Sequence, residues 1–234
     1  MLVLAFGGWN IYRSYQDRAL RVSVKMVSVD GVERRFRIVE PKNLKPGCEV
    51  LFAFHGLGDS PDAMEKYTKL GRLAYSEQLL LVFPEAENGR WDVETSPGGD
   101  VSDRSDVKFF DAMLEQVRSD YDCDTTRLYA VGMSNGAAFV QLLAHARSDV
   151  LAAVAAHSGP CPPHLSQPPR PIPIFLLSGS EDLAVGAMET DVESYRAAGH
   201  ETGLLIIDGL GHKWSIPHNA NIWKFLSAHK LNDR

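Results

Sequence analysis

The chain has 234 residues, 44% of them hydrophobic and 23% charged. That length and balance suit one large domain better than two small ones, and they exclude a disordered or low-complexity chain. The formal charge is −6, with no run of Lys or Arg. Nucleic acid is therefore not an expected partner, since its backbone is held by clustered basic groups.

Met1 to Phe6 is apolar but too short to span a bilayer, and it lacks the basic start and small-residue cleavage site of an export signal. Residues 1–20 read either as a tail, which fits a cytoplasmic protein, or as the stump of a trimmed export signal, which fits a secreted or periplasmic one. No later stretch resembles a membrane span. Residues 21–29 and 34–39 are rich in β-branched residues and flank Asp30-Gly31, a hairpin signal. The short apolar run 49–55 predicts a buried strand. Ser60-Pro61 then supplies an N-cap and a first-turn proline for a helix over 62–74, followed by a strand at 79–83.

Residues 84–104 form a long polar segment rich in Gly and Asp, the kind of connection that is often functional. Ser105 is expected to cap the next helix, where Val107, Phe110, Met113, Leu114 and Val117 recur at helical spacing. Strands are predicted at 127–131, 151–156, 174–177 and 203–207, and helices at 135–146, 186–198 and 218–229. A proline-rich loop covers 159–173. The repeated strand–helix alternation predicts an α/β fold: a mostly parallel sheet of about eight strands with helices on both faces, in one domain over 21–234.

Gly132-Met133-Ser134-Asn135-Gly136 lies between a predicted strand and a predicted helix. Small residues on either side of a serine permit a tight turn that lifts its hydroxyl above the strand ends, next to the free amides of the helix. The pattern alone is weak; its partners strengthen it. A serine hydroxyl needs a base and an orienting carboxylate. Asp182, with Glu181 as its neighbouring rival, follows the strand at 174–177. His212, in a glycine-flanked loop, follows the strand at 203–207, and His218 is the credible substitute. His55-Gly56-Leu57-Gly58 follows the strand at 49–55. The amides of Leu57 and Asn135 are the expected oxyanion donors, with His55 structural.

With these residues in place, the chain resembles the polyhydroxybutyrate depolymerase and feruloyl esterase group of α/β-hydrolases from about Val32 onward. The resemblance is strongest from Asp106-Val-Lys-Phe-Phe110 to Arg127-Leu-Tyr-Ala-Val-Gly-Met-Ser-Asn-Gly-Ala137, and includes Gly179-x-x-Asp182 and Gly211-His212-x-Trp214. It implies an α/β-hydrolase fold without a cap domain and a serine esterase acting through an acyl-enzyme on a small or polymeric ester, with no cofactor and no metal. Two positions depart from the group: Arg90 precedes Trp91, and Leu57 stands in the oxyanion loop, where relatives often carry cysteine. The run His55-Gly-Leu-Gly-Asp59 is instead similar to acyl-protein thioesterases and small carboxylesterases. A short-chain carboxylesterase or acyl-thioesterase is thus the alternative, and a non-catalytic binding protein of the same fold a remoter one.

Trp91 and Trp214 are expected to line an acyl or alcohol pocket in an open cleft, with plain hydrophobic packing as the competing expectation. The three cysteines match neither a zinc site nor a CxxC motif. Cys48 and Cys123 precede strands that are neighbours in this fold, so a disulfide between them is open to test; it would favour an exported enzyme. The oligomeric state is not legible from these residues.

Overall fold

The computed structural model describes residues 19–165, 168 and 170–231, so nearly all of the expected tail over 1–20 lies outside the described residues. Eight strands form one sheet: β1 (Leu20–Val29), β2 (Val32–Pro41), β3 (Cys48–Phe54), β4 (Leu80–Pro84), β5 (Cys123–Met133), β6 (Ala153–His157), β7 (Ile174–Gly179) and β8 (Thr202–Ile207). Their order is β1-β2-β4-β3-β5-β6-β7-β8. The first hairpin and its junction with β4 are antiparallel, and every later pairing is parallel.

The helices α1 (Pro61–Thr68), α2 (Leu70–Glu77), α3 (Ser105–Asp120), α4 (Asn135–Ala146), α5 (Val185–Ala197) and α6 (Asn219–Ser227) cover both faces of this sheet. Period-2 alternation along β3 shows why there are two cores. Val50, Phe52 and Phe54 point to one face with Val107, Phe110 and Phe139, while Leu51 and Ala53 point to the other with Met64, Leu73 and Ile222. Accordingly α3, α4 and α5 pack on the first face, and α1, α2 and α6 on the second.

Two expectations need correction. The helix over 62–74 is two helices, broken at Lys69, whose φ of 57° is left-handed. Thr68 Oγ1 donates to Met64 O and accepts from the Leu70 amide, a local bonding pattern that competes with helix continuation. Ser105 does not cap α3: it is the first helical residue, preceded by Arg104, and no side chain caps that end. Ser60 does cap α1, accepting from the Ala63 amide at 3.2 Å.

A parallel sheet opens its βα loops along one edge. Here that edge collects the turns after β3, β5, β6, β7 and β8, so residues far apart in sequence meet above it.

Candidate active site

The turn from β5 into α4 is too tight for side chains at its flanks. A Cβ on Gly132 would stand 2.1 Å from Gly136 O, and one on Gly136 would stand 2.2 Å from Phe54 O. Between them Ser134 is held at φ 56° and ψ −119°, a conformation that costs a non-glycine residue about 1–3 kcal/mol and persists only where its surroundings enforce it. The strain lifts the hydroxyl clear of the sheet.

Ser134 Oγ lies 2.9 Å from His212 Nε2. His212 Nδ1 lies 3.0 Å and 3.2 Å from the two oxygens of Asp182. A carboxylate only accepts, so Nδ1 carries the proton and Nε2 is bare, ready to accept the serine hydrogen. Asp182 is 4% exposed. Burial alone would raise its pKa, but donors outweigh that penalty. The Ala184 amide, the Ser158 hydroxyl and the His212 ring together hold its carboxyl below the usual aspartate value. The Ala184 amide is 3.0 Å from Oδ1.

Neither rival residue is bonded to Ser134 or His212. Glu181 sits at the rim of the cleft, and His218 Nδ1 pairs with Ser215 Oγ at 2.6 Å. His55 is fully buried: Nδ1 donates to Gly56 O at 2.8 Å and Nε2 accepts from the Ala86 amide at 3.1 Å. Burial keeps its pKa low, so it is a neutral brace for the turn after β3. Asn135 opens α4, where its amide has no intrahelical acceptor. Leu57 stands in the turn after β3, and among the described residues no hydrogen bond engages its amide. Both turns border the cleft around Ser134.

Two cavities flank the serine and the histidine. One, of about 600 Å³, is walled by Val93, Cys161, Pro162 and Leu183. The other, of about 760 Å³, is walled by Leu57, Asp59, Tyr67, Lys213 and Trp214. Among the described residues, no group of three or more His, Cys, Asp or Glu is placed to hold a metal ion.

Residues 47–166, which are 120 of the 234, match the family described as esterase PHB depolymerase. The chain belongs to that family. It is 29% identical over 177 residues to a bifunctional acetylxylan esterase/xylanase of Neocallimastix patriciarum, covering 73% of this chain and 25% of that protein. It is 28% identical over 145 residues to feruloyl esterase D of Neurospora crassa, covering 56% and 47%. The chain thus spans a quarter to about half of the length of these curated relatives.

Among solved structures, the feruloyl esterase module of Clostridium thermocellum complexed with sinapinate superposes with a TM-score of 0.70 at 15% identity, covering 93% of this chain and 91% of that one. S-formylglutathione hydrolase of Staphylococcus aureus gives 0.70 at 11% identity, covering 89% and 98%. At those identities the likeness is one of fold, and the fold is that of the α/β-hydrolases.

Against this family's frame, the two tryptophans part company. Trp91 does not line the cleft. It is fully buried, its ring stacked on Phe139 and edge-on to Phe54, both at 5.1 Å, and its Nε1 donates to His55 O at 2.9 Å. Its amide donates to Asn135 Oδ1 at 2.8 Å, and Asn135 Nδ2 returns a bond to Trp91 O at 3.2 Å. The side chain of Asn135 therefore clamps the long loop to the serine turn, a role that sequence reasoning missed because it assigned Asn135 for its amide only. Trp214 is on the cavity wall: one edge faces the larger cavity, while the ring stacks on His157 at 5.0 Å and Nε1 donates to Asn219 Oδ1 at 2.8 Å.

The long loop after β4 is anchored from beneath by a buried ion pair. Arg34 donates to Asp106 Oδ1 at 2.7 Å and to Glu85 O at 3.3 Å, and Asp106 Oδ2 accepts from the Asp92 amide at 2.8 Å. The guanidinium also lies 4.2 Å above the Phe109 ring centre. No helix of the described residues is long and apolar enough to cross a membrane.

Proposed function

We propose that this chain, over 21–234, is the catalytic domain of a serine esterase that hydrolyses carboxylic esters through an acyl-enzyme. The observation that carries the reading is the unbroken run of hydrogen bonds from Ser134 through His212 to Asp182, at the ends of three different strands. In this reading Ser134 Oγ attacks the ester carbonyl carbon as His212 Nε2 takes its proton. The oxygen that becomes negative is received by the Leu57 and Asn135 amides, whose value is greatest where charge develops. The C–O bond then breaks, and His212 returns the proton to the departing alcohol. Water, deprotonated by the same nitrogen, releases the acid and restores Ser134. Asp182 keeps the ring in the required tautomer and stabilises the imidazolium.

The named relatives act on acetylxylan and feruloyl esters, and this chain's open, two-sided cleft is compatible with an aromatic acyl group on one side and a bulky alcohol on the other. With Trp91 in the core, the aromatic wall available to such a substrate is Trp214 together with Tyr67. Labelling by a fluorophosphonate probe, alongside rates on p-nitrophenyl esters, methyl ferulate and an acyl-thioester, tests the proposal. Ser134→Ala is expected to abolish both labelling and hydrolysis, and persistence of either would refute the nucleophile. A thioester preferred over every oxygen ester would favour the thioesterase reading suggested by the His55-Gly-Leu-Gly-Asp59 loop.

A further inference from the structure

Behind the triad lies a buried cluster that the mechanism above does not use. His157 closes β6 and is fully buried, and Ser158 beside it is 1% exposed. His157 Nε2 lies 3.2 Å from the backbone nitrogen of Ser215. A backbone N–H can only donate, so Nε2 is the bare nitrogen and the ring proton sits on Nδ1. Nδ1 in turn lies 2.9 Å from Ser158 Oγ. The hydroxyl accepts there, which leaves its own hydrogen for another partner. Ser158 and Asp182 line the same cavity, and a side-chain hydrogen bond from Ser158 is among the causes that lower the Asp182 pKa.

We propose that His157 and Ser158 are positioning residues, forming a one-way donor chain from the Ser215 amide through His157 and Ser158 to Asp182 that fixes the carboxylate against His212. The inference rests on the triad reading and adds residues to it. The chain has one polarity because its first donor is a backbone amide and its last acceptor a carboxylate. The ring stays neutral within it: burial drives the His157 pKa down to about 4, the nearby Asp182 charge opposes that, and His212 and His218 add to it. The same dipeptide also touches the other catalytic loops. His157 O accepts from the Ser134 amide at 2.9 Å, the Ser158 amide donates to Leu177 O at 2.8 Å, and Trp214 stacks on the imidazole.

Ser158 has a φ of 59°, a left-handed conformation that glycine would hold without strain. A serine that served the backbone alone would be improved by glycine, which makes Ser158→Gly diagnostic. On p-nitrophenyl acetate, Ser158→Gly and Ser158→Ala are expected to lower kcat about ten- to hundredfold with KM within about twofold, while the Tm of the glycine variant stays at or above that of the parent. Nitrogen-15 NMR of the parent, with His157 assigned by its loss in His157→Gln, is expected to show Nδ1 protonated and Nε2 bare between about pH 5.5 and 8.

Full kcat in Ser158→Gly, a fall in kcat matched by a fall in Tm, or a proton on His157 Nε2 would each overturn the donor chain. Absence of fluorophosphonate labelling at Ser134 in the parent would instead refute the triad reading. The tautomer measurement would still decide whether the chain of donors exists.

Discussion

Replacing Trp91 with alanine is expected to remove stability rather than change ester preference. The ring is fully buried among Phe54, Phe139 and His55. A large aromatic side chain buries roughly 150–250 Å², which at about 25 cal/mol per Å² corresponds to roughly 4–6 kcal/mol, an upper estimate because the unfolded chain already hides part of that area. Measured Trp→Ala costs of about 3–5 kcal/mol agree, and include the cavity left behind. The indole N–H is also lost, leaving the His55 carbonyl without its donor at 2.9 Å. Set against a total stability of about 5–15 kcal/mol, this is roughly a fifth or more of what holds a typical domain together.

For a chain of this length about 3–5 kcal/mol lowers Tm by roughly 6–20 °C. Urea denaturation and thermal unfolding of Trp91→Ala measure the loss directly. Trp91→Phe is the control: it keeps most of the packing, gives up the N–H and part of the ring volume, and is expected to lose about 1–3 kcal/mol. The ratio of rates on methyl ferulate and p-nitrophenyl acetate, taken well below the lowered Tm, is expected to stay close to that of the parent. A Trp91→Ala protein with an unchanged urea midpoint and a selectively impaired ferulate rate would refute the buried placement.

Three further outcomes follow from distances and burial. Gly136→Ala places a Cβ 2.2 Å from Phe54 O, so the variant is expected to lose soluble yield and Ser134 labelling together, whereas survival of both would show that β3 yields there. Cys48 and Cys123 are register partners whose sulfurs lie 3.7 Å apart. Mild oxidation is expected to join them, closing a loop of 75 residues worth roughly 4.5 kcal/mol on the chain-entropy account; alkylation with intact-mass analysis and the Tm of Cys48→Ser read this out. His157 has its pKa lowered to about 4 from 6.5, so below pH 6.5 the unfolded chain binds more protons than the native one. Stability is then full above that pH and falls as pH drops toward 4, by up to roughly 3 kcal/mol. Urea midpoints between about pH 7 and 4.5 are expected to decline more steeply for the parent than for His157→Phe.

The parts of the site that were legible in the sequence are those set by local pattern. A strand, a glycine-bracketed serine and a helix occupy adjacent residues, and chain order alone then points to Asp182 and His212 at later strand ends. Trp91 was not legible, because it stands in a polar segment with no hydrophobic period to say which side is covered. Its burial depends on a carbonyl at His55 and an amide side chain at Asn135, both distant in sequence. The break at Lys69 was hidden for a different reason: apolar spacing continues through it, and only the Thr68 hydroxyl, bonded to Met64 O, marks the competing local structure. His157 ends a strand and Ser158 follows it, but the role proposed for them depends on tautomer and tertiary contact, which spacing does not carry.

The reach of His212 gives a use to the buried histidine that ends β6. Strands lie about 4.8 Å apart, and β8 is three strands from β5 in the sheet order, so the His212 loop must cross roughly 14 Å of sheet edge to meet Ser134. Each loop is first held by its neighbour: the Ser134 amide donates to His157 O, the Ser158 amide to Leu177 O, and the Ser180 amide to Ile207 O, all at 2.8–2.9 Å. These bonds extend the parallel ladder one step beyond the strands, but they keep each loop over its own strand. Carrying the His212 loop back over β7 and β6 needs a support on β6 itself. His157 supplies it with a ring under Trp214 and a nitrogen for the Ser215 amide, two and three residues after His212 in sequence. Its other nitrogen faces Ser158 Oγ, so in the proposed donor chain the support under the His212 loop also bears on Asp182.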